Sequence, residues 1–137
     1  MSKKVIPPVF TERRLPHSPD AERSVLGAIL SDNSQLELLA EKLKPSEFFF
    51  DQNQRIYERM IQMREAATPI DTLTLMDKLT AARELETVGG IAYLNQLGDS
   101  AIARFHTEHY AKIIREKAAL RQIIHTCHSI QEASFEE

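Results

Sequence analysis

Apolar side chains recur along this chain at three- and four-residue spacing, in blocks separated by Pro, Gly, Asp and Asn. Each block reads as an amphipathic helix. In SPDAERSVLGAIL, Ser18 suits an N-cap and Pro19 the first helical position. Asp20 and Glu22 fall in the first turn, where the helix dipole favours acidic groups. Ala21, Val25, Ala28 and Ile29, flanked by Leu26 and Leu30, form a face wide enough for a central helix. Gly27 lowers its propensity, which close approach of a neighbouring helix would offset. Asn33 is placed to cap a second helix bearing Leu36, Leu39, Ala40 and Leu43, with Pro45 beyond its end.

SEFFFDQ reads as a short turn whose Phe48, Phe49 and Phe50 plug the core. Asp51 and Gln54 suggest a capping box for a third helix. There Ile56, Met60 and Met63 face inward, with Tyr57 and Ile61 beside them. Thr68-Pro69 interrupts the pattern, and Asp71 caps a fourth helix with Leu75, Met76 and Leu79. Leu85 and Val88 lead into a Gly89-Gly90 turn. A short fifth helix then places Ile91, Leu94 and Leu97 inside and ends at Gly98.

The last block differs. From about Arg104 to Ala133 there is neither Pro nor Gly, which permits a helix of ~28 residues, ~42 Å long. Ile113, Leu120 and Cys127 are spaced by sevens, Tyr110 and Ile124 by fourteen, and Ile123 joins the stripe. Such a helix outruns a small helical head. Either another element or molecule covers part of its stripe, or the helix folds back onto the head. The predicted fold class is therefore all-α: a flexible arm over 1–17, a head of five to six short helices over 18–103, and a long helix over 104–137.

Charge changes the picture of partners. The net charge is −3, but residues 1–14 carry +3, residues 15–103 carry −6, and residues 104–137 are balanced. An acidic head repels phosphate, so only weak DNA binding is expected of it. It suits a basic protein surface better. Cys127 is the lone cysteine, so no internal disulfide forms. No signal peptide and no apolar run near the ~20 residues of a membrane span are evident. The expectation is a soluble, cytoplasmic chain.

Catalytic patterns are missing. Gly27, Gly89, Gly90 and Gly98 match neither a P-loop nor a dinucleotide fingerprint. HTEH (106–109) and HTCH (125–128) each put two His on one helix face, yet a structural zinc site wants four ligands. The pairs are ~28 Å apart along a helix, so surface histidines are the better reading. Cys127 beside His128 is read as a buried apolar cysteine rather than a nucleophile. Residues 52–83 can be read as a helix-turn-helix, but the second helix offers only Lys78 and Arg83 to a base. No catalytic, metal or cofactor-binding residue is assigned.

Five stretches, taken together, resemble the N-terminal domain of the bacterial replicative DNA helicase, the DnaB family. They are PHSPDAERSVLGAIL, PSEFF with QRIYERM, PIDTLTLMDKL, LETVGGIAYLNQL and TEHYAKIIREKAALRQII, in the family's order over about residues 15–125. DSAIARFHTEHY departs from the family pattern, lacking the usual Pro and Asn before the long helix. The resemblance implies an all-α head followed by a helical hairpin, of which 104–137 is the first part. It implies that hairpins pair between subunits into the collar of a hexameric ring, and that the collar docks primase and, in some bacteria, a helicase loader. ATP and Mg belong to a RecA-like C-terminal domain, so no cofactor is expected in this segment. Ile113, Leu120, Ile123, Ile124, Cys127 and Ile130 would line the hairpin packing surface, some facing another subunit. Tyr93 and Ile124 fall in blocks that supply primase contacts; the alternative for Tyr93 is a core tyrosine with its hydroxyl at the surface. The competing function is a stand-alone all-α adaptor for a replication protein, with no motor domain.

Overall fold

In a computed structural model, residues 14–99 and 106–136 are described, and they form six α-helices with no strand among them. These are α1 (Pro19–Ser31), α2 (Ser34–Leu39), α3 (Asp51–Glu65), α4 (Thr72–Ala81), α5 (Gly90–Gly98) and α6 (Thr107–Glu136), with a 3-10 turn at Pro45–Glu47. The expected all-α head with one long helix is the observed architecture. The expected division at 103/104 lies outside the described residues.

Helix α1 is the hub. Ser18 Oγ accepts the Ala21 N–H, Pro19 opens the helix, and Val25, Leu26, Ala28 and Ile29 are fully buried. It packs against α6, α5 and α3, as its wide apolar face requires. Leu36, Leu39, Leu43, Ile56, Met60, Leu75, Leu79, Leu94 and Leu97 complete one continuous core. Asp71 accepts the Thr74 N–H while Thr74 Oγ1 accepts the Asp71 N–H, a reciprocal cap that starts α4 as predicted.

Two expected caps act differently. Asn33 donates to the Ile29 and Ile70 carbonyls and accepts the Ile70 N–H. It ties the end of α1 to the loop before α4, and Asp32 instead accepts the Ser34 N–H. Asp51 is the first residue of α3 rather than its cap; it pairs with Arg55, while Gln54 donates to the Phe48 carbonyl. Ile91, expected inside, is 44 % exposed because the buried face of α5 is set by Leu94 and Leu97.

The stop signals also hold a surprise. Ala67 and Arg83 adopt φ +56° and +60° just past α3 and α4. The Thr68 N–H reaches back to Met63 O and the Glu84 N–H to Leu79 O, both at 2.8 Å. These are left-handed helix stops, a position where glycine is usual.

Candidate functional site

Helix α6 positions the candidate surface. It is 30 residues long, ~45 Å at 1.5 Å per residue. Only its first turns enter the core, through Thr107, Ala111 and Ile114, which pack mainly on α1. Ile113 is half-buried against that core. Beyond it the apolar stripe is left in solvent. Leu120 is 45 % exposed, Ile123 58 %, Ile130 61 % and Phe135 63 %. Ile124 is half-buried and Cys127 exposed. The reading of Cys127 as a buried core cysteine is therefore corrected: the head ends before α6 does, so nothing of it covers that turn.

At ~100° per residue, the stripe of Ile113, Leu120, Ile123, Ile124, Cys127 and Ile130 lies opposite the head-facing residues Ala111 and Ile114. The structure thus brings all six onto one side of a single helix. Of these six, Ile113 packs against the core and Ile124 is half-buried, while Leu120, Ile123, Cys127 and Ile130 are exposed.

Polar contacts fix the angle at which α6 leaves the head. Arg121 donates to the Pro16 and Glu47 carbonyls, both at 2.8 Å, and lies 5.3 Å from the Phe49 ring centroid. His17 stacks on Phe49 at 4.4 Å. Residues 15–17, read from sequence as the end of a flexible arm, are thus seated between the Phe49 turn and α6. The three consecutive phenylalanines divide their roles. Phe48 is buried against Tyr57, whereas Phe49 and Phe50 are half-buried.

Tyr93 belongs to another part of the surface. It is half-buried on α5, and its hydroxyl donates to Asn53 Oδ1 at 2.6 Å. Burial pushes its phenol pKa above the ordinary value. Asn53 Nδ2 in turn donates to Glu22 (2.8 Å), and Glu22 accepts the Phe49 N–H (2.7 Å). Glu22 and Asn53 are each 1 % exposed. The hydroxyl of Tyr93 is therefore engaged inside the fold rather than offered at the surface. Sequence reasoning missed Glu22 and Asn53, although Asn53 stands on the same helix face as Ile56 and Met60, a polar residue in an apolar stripe. It also missed Glu84, which is buried and receives Arg59 and Arg55, each at 2.8 Å.

His106 and His109 lie at the start of α6 and His125 and His128 in its distal half. Among the described residues no group of three or more His, Cys, Asp or Glu side chains is placed to hold a metal ion. No helix among them is long and apolar enough to cross a membrane.

With this geometry in place, comparison with known proteins is informative. Residues 14–116 match the family model described as DnaB-like helicase N terminal domain. The chain is 35 % identical over 127 residues to the replicative DNA helicase DnaB of Geobacillus stearothermophilus, covering 93 % of this chain and 28 % of that protein. The replicative DNA helicase DnaC of Bacillus subtilis matches at the same identity and coverage. The crystal structure of the N-terminal domain of DnaB helicase from Mycobacterium tuberculosis superposes with a TM-score of 0.81 at 27 % identity, covering 89 % of this chain and 88 % of that one. The chain spans little more than a quarter of the length of the two replicative helicases.

Proposed function

Because the chain belongs to the DnaB-like helicase N-terminal domain family, we propose that it is an assembly and docking domain of a replicative helicase, not a catalytic unit. The reading is carried by one observation: the apolar side of α6 that its own head leaves uncovered. In this account, Leu120, Ile123, Cys127 and Ile130 meet the same surface of a second subunit, as hairpin pairing in a hexameric collar requires. Ile124, half-buried at the edge of the stripe, and Tyr93, on α5, serve primase docking, Tyr93 through its half-buried ring because its hydroxyl is held by Asn53. A helicase loader is a further candidate partner of the same collar. Unwinding of duplex DNA at the fork, and the ATP and Mg chemistry that drives it, belong in this proposal to a RecA-like domain in the part of such helicases that this chain does not span.

Cys127 is a built-in reporter of the pairing. It is exposed on the stripe, so a thiol reagent should modify it rapidly in dilute protein and slowly in concentrated protein. A rate independent of concentration would contradict the pairing. Primase docking is checked by calorimetry with primase. Ile124→Asp and Tyr93→Ala should each weaken binding about tenfold or more if they are interface anchors, and unchanged affinity in both would remove them from the docking surface. A motorless adaptor would show the same self-association but no functional dependence on a linked ATPase domain.

A further inference from the structure

The side of α6 opposite the stripe faces a second feature. Between α6 and the Phe49 turn runs a groove of about 620 Å³. Its charged lining is one-sided: Lys44, Arg115 and Arg121 against Glu47. Glu47 is already engaged, accepting the Lys44 N–H at 2.8 Å. None of the ion pairs among the described residues uses Lys44, Arg115 or Arg121. The Arg121 guanidinium meets two neutral carbonyls and an aromatic ring. Burial pushes its guanidinium pKa down, and the buried Glu22 carboxylate offsets this only in part. The floor is apolar, with Leu15, Phe48, Ala118 and Ala119.

This concentration of positive charge stands out on a head whose residues 15–103 carry a net −6. We propose that the groove docks an acidic segment of a partner protein, its carboxylates meeting Lys44, Arg115 and Arg121 and its apolar side chains resting on Leu15 and the alanines of α6. Charge complementarity selects this occupant. The chain's own first residues are the wrong sign, since 1–14 carry +3. A nucleic-acid strand fits poorly. Base binding needs an open aromatic face, and Phe49 is already stacked by His17 and flanked by Arg121. The acidic remainder of the head would also repel a polyphosphate extending beyond the groove. The surface is separate from the stripe, so it stands or falls independently of subunit pairing.

The test uses the full 137-residue chain and fluorescence anisotropy at low salt. Three probes are titrated: a short labelled peptide alternating Glu with Leu, its Lys-for-Glu counterpart, and a single-stranded oligothymidylate. The Glu peptide should bind, lose affinity as salt rises, and lose at least about tenfold in a Lys44→Glu/Arg115→Glu double variant. Both residues are exposed, so the variant should melt as the wild type does. As a second readout on unaltered protein, the Glu peptide should shift the amide resonances of Ala118, Arg121 and Gln122. The proposal is overturned if the Glu peptide does not bind, if the double variant binds it equally well, if oligothymidylate binds more tightly, or if the shifts fall on the stripe instead.

Discussion

Glu84 shows how a single side chain contributes to this domain. The Arg59 hydrogen bond, against the opposing effect of burial and with help from Arg55, holds its carboxyl below the ordinary 4.5. A folded-state pKa below the unfolded one adds stability that is fully present above the unfolded value and is lost as pH falls through the folded one. Glu84→Gln should therefore lower the melting temperature at neutral pH, and the gap should narrow as pH falls below the ordinary 4.5 and close once the folded-state carboxyl is protonated. A gap independent of pH would show that the ion pairs contribute nothing. Gly89 offers a second check. It has φ +113°, and a Cβ there would stand 2.8 Å from Tyr93 Cβ. Gly89→Ala should cost about 1–3 kcal/mol and displace Tyr93. Gly98→Ala, whose Cβ would meet Thr72 Oγ1 at an ordinary-to-tight 3.4 Å, should be far milder. At the left-handed stop, Ala67→Gly should stabilise by up to about 1 kcal/mol in chemical denaturation; a loss of stability would contradict the backbone assignment. Legibility at this scale was uneven. Ser18 and Asp71 announce themselves because their cap is local in sequence. Asn33, Glu22 and Glu84 do not, because their partners lie 25 to 37 residues away. Only the oddity of a polar residue on an apolar face, as at Asn53, hints at such contacts.

At the scale of elements, every described helix falls within a block that apolar spacing marks out, because the core is built from those spacings. The long helix was also legible, but the division of its two sides was not. Ala111 and Ile114 face the head, while the seven-residue series through Ile113, Leu120 and Cys127 passes from the core edge into solvent. Spacing alone locates a stripe; it does not say which of two apolar sides finds its partner within the chain. Likewise nothing in PHSPD shows that Pro16 offers its carbonyl to Arg121, 105 residues away. That contact makes Arg121 the residue that sets how α6 leaves the head. Arg121→Ala should speed amide hydrogen exchange in α6 beyond Ile114 and around His17, while the α3 and α4 amides stay protected. Equal exchange in both proteins would remove Arg121 from that role.

For the molecule as a whole, the head and the distal part of α6 differ in how their apolar residues are covered. The head and the first turns of α6 share one core around α1, and Leu38, Leu73 and Ile91 are the large apolar side chains the head leaves exposed. The distal part carries Leu120, Ile123 and Ile130 into solvent on one side of α6 at 45–61 % exposure, an apolar strip of the kind that marks protein contact. The central claim is that a second copy covers it. Sedimentation equilibrium over a wide concentration range tests this most directly, comparing wild type with Ile123→Asp/Ile130→Asp. Because both side chains are exposed, the variant should melt like the wild type at dilutions where both are monomeric, yet it should remain monomeric at concentrations where the wild type is dimeric or larger. A wild type that stays monomeric throughout, or a variant that associates as strongly, would contradict the account.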